Sequence, residues 1–183
     1  MLWGLNPALV LRTAPTPITA VALLPMTDLR PFTDARAALV AGWARTAEEL
    51  DHWVSRTDAP LDPAVLLGWH REPHIHPFLL EVDGAPVGYG EVWTDAEEDE
   101  AELARIIVDP KLRGRGLGRR LVGALAGEAR ALGFADVWMR VVPENAPAIA
   151  CYRAAGFVPT DAATEASFNE GQPRAYRWMR FVG

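Results

Sequence analysis

The chain has 183 residues, half of them apolar, with a single cysteine and 24 acidic against 18 basic residues, for a net charge of −6. That length suits one domain with a real core better than two, and the negative balance argues against a protein whose main partner is the phosphate backbone of nucleic acid. The lone Cys151 excludes an internal disulfide and a cysteine-rich zinc site, and it fits a reducing cytoplasm.

The opening stretch through Pro25 is apolar, but no basic segment precedes its hydrophobic run and prolines break it, so a secretory signal is not expected. No apolar run approaches the ~20 residues that cross a bilayer, and no membrane partner is expected. Residues 1–25 read as a dispensable extension, with Met26 as an alternative start, and 26–183 as a single domain.

"LRPF" (Leu29 to Phe32) is a short strand, and "TDARAALVAGWAR" has helical spacing after a Thr33 or Asp34 cap. "TAEELDHWVSR" opens with Thr46 and carries Glu49 three residues on, the signature of a capping box. Asp62-Pro63 opens a short helix ending near Trp69, and "HREPHIHP" reads as a loop by its prolines. "PFLLEV" and "PVGYGEVW" flank Asp83-Gly84, a hairpin signal, and the acidic connection "TDAEEDEAE" leads into the strand "LARIIVDP". A helix with Leu121, Leu125, Ala129 and Leu132 on one face stops at Gly133. "ADVWMRVV" alternates as a strand, Asn145 caps a helix that Gly156 ends, and "AYRWMRFV" is a last strand. Strand, glycine loop, helix and strand make a crossover whose two strands lie parallel.

The chemistry concentrates in "RGRGLGRRLV", from Arg113. A helix start leaves about four backbone N–H groups unpaired, with the positive end of its dipole facing outward. Gly114, Gly116 and Gly118 permit left-handed backbone and keep side chains out of the way, while Arg113, Arg115, Arg119 and Arg120 add positive charge. A phosphate or diphosphate is the natural ligand. The ATP-type loop fails for want of a lysine followed by Ser or Thr, and the G-x-G-x-x-G dinucleotide pattern fails on spacing.

With Arg113, Gly116 and Gly118 matching Q/R-x-x-G-x-G/A, and Asn145, Ala148, Tyr152, Gly156 and Phe157 matching N-x-x-A-x-x-x-Y-x-x-x-G-F, the chain resembles the GNAT superfamily of acetyl-CoA-dependent N-acetyltransferases. The resemblance runs from about Leu29 to the C-terminus. It implies an α/β (α+β) fold: a mixed, twisted sheet of about six to seven strands flanked by about four helices and open at a bulge that holds acetyl-CoA. It implies direct transfer of acetyl to a primary amine in a ternary complex, with no metal. Backbone groups of Ile106, Ile107 and Val108 would pair with the pantetheine arm, and the amides of Arg113, Gly114, Arg115, Gly116, Leu117, Gly118 and Arg119 would take the diphosphate. Asn145 would help hold the pantetheine. Tyr152 would donate a proton to the leaving thiolate. Glu102, eleven residues before Arg113, lies where the family's histone acetyltransferases carry their base, and Glu91 is the reserve candidate. The family's ribosomal-protein alanine acetyltransferases carry a glutamate where this chain has Arg140, so their substrate does not carry over. Family members often pair through sheet edges, which leaves a homodimer open.

The remaining chemistry-bearing residues read more plainly. His70, His74 and His76 are surface or channel residues rather than a metal site, and Cys151 is a small buried hydrophobe. Trp43, Trp53 and Trp69 are mostly core, with one or two facing an acceptor pocket. Protein, polyamine and aminoglycoside amines all stand as acceptors, and the acidic run Asp95–Glu100 would favour a cationic one. The competing class is a coenzyme A-binding sensor without turnover.

Overall fold

The computed structural model describes residues 26–183; the N-terminal extension read from the sequence lies outside the described residues. Asp83 and Gly84 both take positive φ, 50° and 78°, the backbone a two-residue primed turn needs. They join β2 (Ile75–Val82) to β3 (Ala85–Asp95). β2 starts two residues earlier than its prolines suggested. Pro77 is tolerated inside it because its carbonyl accepts from Phe32 N–H, so its ring nitrogen faces the same side, beyond the last pair with β1 (Thr27–Pro31), Pro31 with Phe78.

β4 (Glu100–Val108) pairs antiparallel with β3, and β5 (Asp136–Val141), β6 (Phe157–Pro159) and β7 (Arg177–Phe181) complete a seven-stranded sheet in the order β1-β2-β3-β4-β5-β7-β6. The expected crossover is present: β4 and β5 run parallel. Among the described residues six α-helices accompany the sheet: α1 (Ala37–Ala41), α2 (Ala47–Val54), α3 (Pro63–Trp69), α4 (Leu117–Ala131), α5 (Ala146–Ala154) and α6 (Ala162–Phe168). Five of the six were expected from the sequence, one more than the resemblance implies, and α6 was not read. Asp161 caps that helix by accepting from the Ala163 and Thr164 amides.

The two larger cores lie on the two faces of the sheet, and a small third one joins Val142, Tyr176 and Trp178. α4 lays Leu121, Val122, Leu125, Ala126 and Ala129 on one face against Leu80, Val92, Leu103 and Met139. On the other face, α1, α2 and α3 bring Val40, Leu50, Trp53 and Leu66 onto Leu79, Tyr89 and Ile107. Gly90 is bare because a Cβ there would meet Leu125 Cδ1 at 2.6 Å, so the close approach of α4 to β3 depends on it.

Two irregularities open the sheet. In the β3–β4 ladder Tyr89 pairs with Ile107 but Glu91 pairs with Ala104, so Arg105 and Ile106 together oppose Gly90. This is a β-bulge, and Arg105 takes a left-handed φ of 47° within it. The extra residue changes the parity of β4: Glu102 and Ala104 before the bulge share a face with Ile107 after it. The second irregularity is the β4–β5 ladder, which joins only Glu100–Glu102 to Asp136–Trp138. Beyond those pairs the strands diverge.

Candidate active site

The divergence of β4 and β5 makes a cleft of about 1010 Å³. One wall is β4 from Glu102 to Val108, the other Arg140 and Val141 of β5 with Val142 just after it, and the glycine loop and α5 close one end. Of the residues singled out in the sequence, Glu102, Ile106, Ile107, Val108, Arg113, Gly114, Gly116, Leu117, Gly118, Arg119, Asn145 and Tyr152 line this space, and Arg115 does not.

The loop's glycines divide into two kinds. Gly114 and Gly116 take φ of 78° and 77°, and a Cβ on either would meet nothing within 4 Å. Their requirement is conformational. Gly118 lies inside α4, and a Cβ there would stand 2.9 Å from Cys151 Sγ. Its bareness lets α5 approach α4, which corrects the expectation that all three glycines serve left-handed backbone. Cys151 fills that contact, and burial pushes its thiol above the ordinary range. The amides of Leu117, Gly118 and Arg119 precede the first intrahelical bond, from Arg120 N–H to Gly116 carbonyl, and form a donor cluster at a helix of 15 residues.

The loop arginines separate likewise. Arg113 donates from Nε to the Val108 carbonyl at 3.2 Å and from Nη1 to Glu49 Oε1 at 2.6 Å, tying the loop to β4 and α2. Glu49 also accepts from Arg45 N–H at 2.9 Å, and this bond with Arg113 holds its carboxyl below the ordinary range. The box at Thr46 is therefore half formed: Thr46 Oγ1 accepts from Glu49 N–H, but Glu49 reaches back to Arg45. Arg120 donates to Thr27 Oγ1 and leaves the cleft.

Tyr152 stands on α5, which starts at Asn145, whose side-chain oxygen accepts from Ala148 N–H at 3.2 Å. The Tyr152 ring packs against the α4 core, and its hydroxyl forms no hydrogen bond with any described residue. Burial pushes its ionisation above the ordinary phenol range, so it stays protonated. Glu102 reaches the cleft from the opposite face of the sheet, since it pairs with Trp93 on the face shared by Glu91 and Tyr89. The split allows the two to share one space. Glu102 lies 3.2 Å from Arg140 Nε, its side chain 19% exposed. Burial lifts its ionisation to about 7 against the pull of the Arg140 guanidinium.

Glu91 does not line the cleft. It is 0% exposed, bonded by the Tyr89 hydroxyl, by Trp93 Nε1 at 2.6 Å and by Arg105 Nη1 at 2.9 Å, with His70 Nε2 at 3.9 Å. His70 thus serves this network, its Nε2 lying 2.9 Å from the Tyr89 hydroxyl, and burial lowers its basicity. Of the tryptophans, Trp53 and Trp93 face the cleft, while Trp43 is core and Trp69 stacks on Arg105. The acidic run lies elsewhere: Asp95 and Glu97 border a separate shallow depression with Pro73 and His74. Arg105 and Arg140 were not read as site residues. The available signal was an arginine inside an otherwise apolar strand, "ARIIV" and "VWMRVV".

A mixed sheet split beside a glycine-rich helix start, with a phenol and a carboxylate reaching the gap from opposite faces, leaves room for a phosphate-bearing ligand between two strands. The family model described as the acetyltransferase (GNAT) family matches residues 40–157, and the chain belongs to that family. It is 34% identical over 132 residues to the N-alpha-acetyltransferase RimI of Mycobacterium tuberculosis, covering 71% of this chain and 80% of that protein. It is 31% identical over 137 residues to the mycothiol acetyltransferase of Clavibacter michiganensis, covering 67% of this chain. A ribosomal protein bS18-alanine N-acetyltransferase of Salmonella typhimurium matches at 46% over 59 residues, 32% of this chain. The matches span only 43% of the Clavibacter protein and 40% of the Salmonella one. In fold, the chain is similar to the aminoglycoside acetyltransferase AAC(6')-Ib solved with paromomycin and acetyl-CoA, at a TM-score of 0.69 and 19% identity over 85% of this chain and 93% of that one.

Proposed function

We propose that the chain is an acetyl-CoA-dependent N-acetyltransferase that passes acetyl directly to an amine in a ternary complex. The observation that carries this reading is one continuous cleft holding the glycine-loop amides, the free edge of a bulged strand, Tyr152 and Glu102. The open donor cluster at α4 suits a diphosphate. Past Glu102 no strand among the described residues pairs with β4 on the β5 side, so Ile106, Ile107 and Val108 offer an edge to an amide-bearing arm. Asn145 lines the same stretch.

Acetyl-CoA would supply an activated acyl group as a thioester. Glu102, poised near neutrality, takes a proton from the acceptor ammonium, directly or through water. Tyr152, which stays protonated, donates to the departing sulfur. A nitrogen–carbon bond forms and the carbon–sulfur bond breaks. Of the two protons the ammonium loses, one ends on the thiol and one reaches solvent. Arg113 and Arg119 border the diphosphate end, and Arg115 does not line the cleft. The net charge of −6 favours an amine over a nucleic acid as partner, and the single cysteine suits a cytoplasmic setting. A homodimer would use β1 or β6, the two edges of the sheet.

The test is thiol release from acetyl-CoA across a broad amine panel, with calorimetry of acetyl-CoA binding in parallel. Binding with amine-dependent release supports an enzyme. Binding without release from any amine would replace it with a sensor module, and no binding would overturn both.

A further inference from the structure

The acceptor end of the cleft is distinguished by an arginine and a glutamate side by side. Glu102, Arg140, Trp93 and Trp178 share one sheet face, because Glu102 pairs with Trp93 and Trp138, and Arg140 with Trp178. The Arg140 guanidinium is ringed by Trp93, Tyr176 and Trp178 at 5.7, 5.4 and 5.5 Å. Its Nη1 donates to Gln172 Oε1 at 3.0 Å, and its Nε lies 3.2 Å from Glu102 Oε1. A guanidinium has five N–H donors, so several stay available on a residue that lines the cleft. The neighbouring rings leave the Arg140 side chain about one quarter exposed, and partial desolvation strengthens its interaction with an anion.

The other carboxylates near this end are occupied. Glu49 is taken by Arg113, and Glu91 lies fully buried under Arg105. The acidic run borders a different depression. A polycation would therefore find one further carboxylate in the cleft, Glu102, itself paired with Arg140.

We infer that the acceptor is an α-amino acid, its amine received by Glu102 and its carboxylate by Arg140. An α-amino acid carries its two charges on atoms three bonds apart, and the protein presents their complements as adjacent groups 3.2 Å apart. On entry each member of the protein pair exchanges its partner for one of the same sign on the ligand, so no charge is left unmatched. The side chain of the amino acid would lie against Trp93, Tyr176 and Pro173. The inference rests on the proposed acetyl transfer and names its substrate class.

The experiment measures thiol release by the full chain with acetyl-CoA and the common α-amino acids. Each amino acid that reacts is compared with its amide and with the amine lacking the carboxylate. At least one amino acid is expected to exceed both matched compounds by about tenfold or more in kcat/KM, the scale of one charge-assisted contact. Arg140→Gln should bring that ratio near one, and Arg140→Lys should restore part of it. A matched amide or amine that equals its amino acid overturns the inference, as does a polyamine or aminoglycoside preferred over every amino acid. So does a protein that binds acetyl-CoA yet accepts no α-amino acid. The wild-type comparison decides the matter even if the Arg140 variants fold poorly, and absent acetyl-CoA binding would instead strike the underlying transfer reaction.

Discussion

Arg105 Nη1 donates to Glu91 Oε2 across 2.9 Å, and through that bond a fully buried carboxylate holds the one residue of β4 whose backbone is left-handed. The guanidinium also stacks on Trp69 at 3.8 Å, and the Arg105 carbonyl accepts from Trp53 Nε1 at 2.7 Å. A non-glycine residue at positive φ costs energy and persists where its surroundings hold it. Here the holders come from β3, α3 and α2, so the bulge is fixed from three sides.

Glu91→Ala should cost about 3–5 kcal/mol, because it leaves the Arg105 charge without its buried partner. Chemical denaturation measures this. If the bulge also shapes the coenzyme edge, KM for acetyl-CoA should rise more than kcat falls. A variant as stable as the parent would show that the pair does not hold the strand.

Glu102→Gln should remove the base. In the parent, activity should rise with pH through about 7 and then level, the titration expected of a carboxylate lifted to that value. In the variant the limb should vanish together with most of the rate. Stability gives a second readout with a definite sign. Folding raises this carboxyl from 4.5 to about 7, so the folded chain holds the proton more tightly than the unfolded one. Between those values the group's contribution to stability falls as pH rises. The denaturation midpoint of Glu102→Gln should therefore gain on the parent across that window and run parallel above it.

Tyr152→Phe should lower kcat by about a hundredfold or more, the usual scale for a positioned acid, with acetyl-CoA affinity nearly unchanged in calorimetry. Since the hydroxyl bonds no described residue while the ring packs against the α4 core, stability should stay within about 0.5 kcal/mol. An unchanged rate would take Tyr152 out of the chemistry.

Gly118→Ala and Gly116→Ala should both destabilise, for different reasons. At Gly118 the cost, about 1–3 kcal/mol of overpacking, comes from Cys151 Sγ at 2.9 Å, and a second change, Cys151→Ala, should relieve it. At Gly116 the cost, about 1–2 kcal/mol, comes from a backbone at φ 77°, and Cys151→Ala should do nothing. Thermal melts of the four variants separate the two.

The helix start at the glycine loop and the Asn145 cap lie where local sequence decides structure and so were legible in advance, while Tyr152 was singled out only through resemblance. The bulge was expected only through resemblance. Nothing within "ELARIIV" marks Arg105 for positive φ, since what holds it there is Glu91, Trp53 and Trp69 from distant segments. The two readings of Gly118 and Gly116 look alike in sequence because packing between α4 and α5 is a tertiary fact. Glu91 left a fainter trace: Tyr89 and Trp93, two residues to either side, put donors on its own face of the strand.

The short seam between β4 and β5 bears on how the molecule carries mechanical load. Four strands lie on one side of it and three on the other, and only Glu100–Glu102 with Asp136–Trp138 zip them together. Under tension across the strands, the sheet should part there first, with α4, the Arg174–Asp51 ion pair and the Ser55–Tyr176 hydrogen bond still tying the two halves. A molecule wedged into the gap would then act as a splice, stiffening both halves at once.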